Sequence, residues 1–170
     1  IAHYETTGRE IFEELDGKID YFIAGVGTGG TFSGATKFLK EKLQNVKTYV
    51  VEPQGSIIAG KPAGKHRTEG IGVDNLATSK NLVQELIDEV FTIDDKSVHD
   101  MIKLLGAKEG LLVGSSSAAA AVAAKMVAER LINSSVTNSE TNNPKTINIV
   151  TIFPDRVDRY LSKNILGEFE

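Results

Sequence analysis

Residues 22–39, FIAGVGTGGTFSGATKFL, join an apolar run to glycines at positions 25, 27, 29, 30 and 34, with hydroxyls at Thr28 and Thr31 between them. Small residues between a strand and a helix suit an anion. The first-turn N–H groups of a helix have no partner within it, the helix dipole is positive there, and glycine admits close approach of the backbone. Two anions are candidates. Gly25, Gly27 and Gly30 match G-x-G-x-x-G, and Glu52 follows 22 residues after Gly30, near where an acid that binds a dinucleotide ribose belongs. Against a dinucleotide, Pro53 follows Glu52 at once. Gly27, Thr28, Gly29, Gly30 and Thr31 form a compact cup of consecutive N–H groups and two hydroxyls, better matched to one terminal phosphate monoester. A turn that serves packing alone needs neither threonine.

Two further clusters stand out. Residues 114–118, GSSSA, resemble a G-x-S-x-G nucleophile elbow, with Ser116 as nucleophile and Ala118 at the last glycine position. That fold requires its histidine after the serine, whereas His3, His66 and His99 all precede it. The plainer reading is a serine-rich cap on an alanine-rich helix. Glu69, Gly70, Ile71 and Gly72 read, on composition alone, as a flexible turn. Three scattered histidines and no cysteine indicate no metal site.

The surrounding pattern supplies the elements that hold these clusters. Strands are expected over residues 19–25, 46–52, 89–93, 111–113 and 146–153, and helices over 31–43, 82–87, 96–108 and from 114 onward. Thr7 and Glu10 have capping-box spacing before another helix. Residues 54–79 read as a long loop and Gly110 as a left-handed helix stop. Residues 133–145 read as a polar surface loop whose sequon, Asn133-Ser134-Ser135, is expected to be bare. The strands are nearly continuous apolar runs, which requires helices on both faces. The expected fold class is therefore α/β: a doubly wound, mostly parallel sheet, with residues 1–170 as a single domain.

A chain of 170 residues with a net charge of −4 has no basic face for nucleic acid. No apolar run is long enough to span a membrane. The absence of cysteine excludes disulfides and fits a reducing cytoplasm.

Six pieces in order, HYETTG, VGTGGT, VEPQGS, EGIG, EGLLVGSSSAAA and TIFPDRVDRYLSK, resemble the cysteine synthase/cystathionine β-synthase family of fold-type II pyridoxal 5′-phosphate enzymes. VEPQGS, SSSAAA and PDRVDRYLSK are closer to its cystathionine β-synthase-like branch. The resemblance implies that Gly27, Thr28, Gly29, Gly30 and Thr31 bind the cofactor phosphate and that Ser116 hydrogen-bonds the pyridine nitrogen. A hydroxyl there is a poor proton source, which limits electron withdrawal and suits β-elimination to an aminoacrylate followed by thiol addition. It also implies that Glu69, Gly70, Ile71 and Gly72 approach the amino-acid substrate and line the thiol's entrance, and that the enzyme is a homodimer. Where relatives follow this loop with FIP, this sequence has VDNLATSKNL. The implied reaction replaces the β-substituent of serine or O-acetylserine with homocysteine or sulfide, giving cystathionine or cysteine.

That chemistry needs a lysine for the Schiff base. None of the lysines here lies in the family's NP..S.KDR-like context, and its SGNTG-type substrate loop is absent. The chain opens at a helix entry without methionine, so it is expected to be the phosphate-binding part of a longer enzyme. No catalytic residue is assigned within it, and it is expected to be inactive alone. A nicotinamide-dinucleotide domain and a non-catalytic binding module are the alternatives.

Overall fold

A computed structural model describes residues 1–136 and 146–167. Strands β1 (Tyr21–Gly25), β2 (Lys47–Pro53), β3 (Glu89–Ile93) and β4 (Ile149–Thr151) form one parallel sheet in the order β3-β2-β1-β4. Helices α1 (Ala2–Glu5), α2 (Thr7–Glu14), α3 (Gly30–Lys42), α4 (Asp95–Glu109) and α5 (Ser115–Val136) surround it. This is the doubly wound α/β arrangement expected from the apolar runs.

The reason lies in the alternation of the strand side chains. Phe22 and Ala24 of β1 point into one core with Phe32, Ala35 and Leu39 of α3. Ile23 points into the other, with Val98, Met101 and Ile102 of α4 and Ala119, Ala123 and Val127 of α5. Both faces of the central strand are dry, so neither tolerates a polar side chain. Parallel strands joined by helices bring the loops after β1 and β2 to one edge of the sheet, where open α/β sheets hold their ligands.

Several local expectations are corrected. Residues 111–113 form no strand; Val113 makes only an isolated antiparallel bridge to Arg156. Their polar groups have other partners: Leu111 N–H closes α4 on Leu105 O, Leu112 O accepts from Val157 N–H, and Gly114 N–H donates to Asp155 O. Residues 82–87 contain only a 3-10 turn, Gln84–Leu86. Residues 133–136 belong to α5 rather than to a loop, because the alanine-rich helix continues through them, so Asn133 of the sequon is helical; residues 137–145 lie outside the described residues. The Thr7–Glu10 capping box does not form, because α2 is preceded by Thr6 and Thr7 Oγ1 is engaged by His3.

Gly110 does adopt the left-handed conformation, at φ 69°, and ends α4. At the other end of α4, Asp94 accepts a hydrogen bond from Ser97 N–H at 2.9 Å.

Candidate cofactor cleft

The glycine cup is built by the passage from β1 into α3. Gly29 occupies the N-cap position at φ 87°, and no side chain caps the helix. The N–H groups of Gly29, Gly30, Thr31 and Phe32 have no acceptor among the described residues. Gly29 and Phe32 are nevertheless buried. Buried, unpaired N–H groups are costly unless a ligand accepts from them, and four at the positive end of a 13-residue helix call for an anion.

A second layer holds the cup open. Ser79 Oγ donates to Gly27 O at 2.6 Å, Asn81 N–H donates to Thr28 O at 3.1 Å, and Val83 N–H donates to Ser33 Oγ at 2.9 Å. Leu82 lies so close that a Cβ on Gly29 would overlap its backbone. Sequence reasoning missed these buttresses. Residues 79–83, SKNLV, have no periodicity, and nothing in them signals a contact with the cup.

The other clusters converge on the cup. Gly72 N–H donates to Val26 O at 2.9 Å, and a Cβ on Gly25 would come within 2.5 Å of Ile71 Cγ2, so the loop containing Glu69 to Gly72 lies against the end of β1. Glu69 N–H donates to Ser115 Oγ at 2.8 Å, which ties that loop to the start of α5. The result is a cleft of about 370 Å³ lined by Gly27, Thr28, Gly29, Gly30 and Thr31 on one side and by Gly70, Ile71 and Ser116 on the other. Glu69 faces an adjacent cavity of about 310 Å³, where it pairs with Lys163.

Pro154 and Asp155 complete the cleft wall. Asp155 Oδ2 accepts from the Tyr160 hydroxyl, which this bond to a carboxylate pushes up to about 12, so Tyr160 stays a donor at any ordinary pH. Asp155 Oδ1 is buried without a hydrogen-bond partner and presses on Gly114, where any side chain would overlap it.

Glu52 is not available to a ribose. It is fully buried and accepts from Ile58 N–H at 3.0 Å, Ala59 N–H at 3.2 Å and Thr92 Oγ1 at 3.1 Å. The dinucleotide reading thereby loses its acid. Among the described residues no group of three potential metal ligands is found, and no helix is long and apolar enough to cross a membrane.

A family model for pyridoxal-phosphate dependent enzymes matches residues 1–138. This chain belongs to that family. Within the pyridoxal-phosphate dependent enzymes it is 44% identical, over 96% of its length, to the O-acetylserine dependent cystathionine beta-synthase of Bacillus subtilis. It is 42% identical over the same share to a cysteine synthase of Helicobacter pylori. The crystal structure of an O-acetylserine dependent cystathionine beta-synthase from Helicobacter pylori superposes with a TM-score of 0.81 at 42% identity. Cysteine synthase of Entamoeba histolytica gives 0.82 at 31% identity. The chain covers 49% of each of the first three and 46% of the last, about half the length of the relatives it matches.

The residues present fit the family's cofactor. Its phosphate is a terminal monoester that can accept from several N–H groups at once, and the cup offers four without another acceptor.

Proposed function

We propose that this cleft holds pyridoxal 5′-phosphate, with the phosphate in the cup from Gly27 to Thr31 and the pyridine nitrogen facing Ser116. The reaction is β-replacement on serine or O-acetylserine by homocysteine or sulfide. The observation that carries the reading is the convergence of four unpaired N–H groups and the Ser116 hydroxyl on one cleft of suitable size. The relatives named for O-acetylserine dependent cystathionine synthesis and for cysteine synthesis support this class of chemistry.

When bound, the cofactor supplies the electron sink for chemistry at the α- and β-carbons of an amino acid. The chain's own residues have simpler tasks. The first-turn N–H groups of α3 neutralise the phosphate, Ser116 orients the ring through a neutral hydrogen bond, and Gly70 and Ile71 form the wall nearest the amino acid. Glu69 and Gly72 hold that wall, Glu69 through Ser115 and Gly72 through Val26. The thiol enters past the same loop.

Among the described residues no lysine lines the cleft. The Schiff-base lysine and the substrate-carboxylate clamp therefore come from the half of the relatives' length that this chain does not cover, and residues 1–170 act as one cofactor-phosphate-binding domain of a cytoplasmic homodimer. The test is a product assay on the intact enzyme, with serine and O-acetylserine, homocysteine and sulfide offered in competition. Formation of cystathionine or cysteine is expected; neither forming would overturn the reading. The 170-residue chain assayed by itself is expected to give no product.

A further inference from the structure

His3 lies between two hydroxyls. Its Nδ1 is 2.9 Å from Thr7 Oγ1, and its Nε2 is 3.1 Å from Thr31 Oγ1. Thr31 lines the cup; His3 and Thr7 belong to α1 and α2, which pack on the flank of α3.

The backbone that carries the ring is held close to α3. A Cβ on Gly34 would come within 2.8 Å of His3 Cβ and 2.9 Å of Tyr4 N, and one on Gly8 within 2.9 Å of Phe38 Cβ. Tyr4 also donates to Glu41 at 2.5 Å and meets the Phe38 ring edge-on, with centroids 5.6 Å apart. Two glycine contacts and these bonds clamp α1 and α2 to α3 beside its first turn.

A neutral imidazole carries one N–H, so its tautomer decides which way the hydroxyl protons run. With the proton on Nδ1, Nε2 must accept from Thr31, and the hydroxyl presents only lone pairs to the cup, which repel a phosphate dianion. With the proton on Nε2, the ring donates to Thr31 Oγ1 and frees the hydroxyl proton to point into the cup, while Thr7 donates to Nδ1. We propose that His3 is a positioning residue for the cofactor phosphate: its Nε2–H fixes Thr31 so that the hydroxyl donates into the cup. This rests on the phosphate reading of the cup given above.

The test measures cofactor preference rather than turnover. In the intact protein, affinities for pyridoxal 5′-phosphate and for pyridoxal are compared. The His3→Leu variant is expected to lose about tenfold of the preference for the phosphorylated compound, the worth of one hydrogen bond to a charged group. The His3→Gln variant, whose amide N–H stands near the position of Nε2, is expected to recover most of it. The His3→Leu/Thr31→Ala pair should be no worse than Thr31→Ala alone, because His3 acts only through Thr31. Nitrogen-15 NMR of the unaltered holoenzyme is expected to show the proton on Nε2, and that measurement stands even if a variant does not fold.

Equal weakening of both compounds by His3→Leu, additive losses in the double variant, or a proton found on Nδ1 would each overturn the role of His3. If Thr31→Ala itself leaves the preference unchanged, the phosphate reading of the cup fails. If Thr31→Ala lowers the preference and His3→Leu does not, only the inference about His3 fails.

Discussion

Gly29 meets two demands that no other residue satisfies together. Its φ of 87° lies in the left-handed region, and the space where a side chain would begin is filled by the backbone of Leu82. Replacing it with alanine must both strain the N-cap and push away residues 79–83, which hold the cup in shape. The Gly29→Ala variant is expected to lose about 1–3 kcal/mol of stability, read from the denaturant midpoint, together with at least about tenfold in affinity for pyridoxal 5′-phosphate. Retained affinity would show that the cup does not seat the phosphate. The position was prominent in the sequence; its neighbour Leu82 was not, since nothing in the sequence brings two residues 53 positions apart into contact.

At the scale of elements, α4 shows local chemistry setting the bounds of a helix. Asp94 caps its first turn through Ser97, and these hydrogen bonds hold its carboxyl below the usual carboxylate range. A folded-state value below the unfolded one means that the contribution is complete above the unfolded value and disappears as pH falls through the folded one. Thermal or denaturant unfolding of Asp94→Ala is thus expected to show a loss of about 1 kcal/mol near neutrality and a shrinking difference from the parent in acid. A difference constant down to strong acid would exclude the cap as its source. For α5 the decisive feature is size. Ala118, Ala119 and Ala123 have no exposed surface and face the sheet core, so the helix lies close on the strands. An Ala119→Leu change overfills that contact and is expected to cost about 1–3 kcal/mol by the same unfolding measurement. The helix was legible from its alanines, whereas its length was not. Residues 133–136 have loop composition but continue a helix already nucleated.

Over the whole molecule, the sheet order decides between rival chemistries. Glu52 had the right spacing for a ribose-binding acid, yet β2 carries it into the interior, where it joins the turn at Ile58 and Ala59 to Thr92 of β3. The Glu52→Gln variant is expected to lose about 1–3 kcal/mol in stability and to keep its affinity for pyridoxal 5′-phosphate, while nicotinamide dinucleotides should bind neither protein in a fluorescence titration. Saturable dinucleotide binding abolished by Glu52→Gln would reverse that assignment. By itself, the sequence determined the α/β class, because strands apolar on both faces require cover on both. It also marked the glycine loop, because glycines and threonines between a strand and a helix leave first-turn N–H groups without partners, and the family, because six ordered motifs recur together. Only the tertiary structure decided that Gly70, Ile71 and Ser116 share one cleft with that cup while Glu69 faces the neighbouring cavity, that Glu52 is consumed internally, and that His3 reaches Thr31. Those facts depend on contacts between residues tens of positions apart, which local pattern does not encode and which the winding of the chain about the sheet creates.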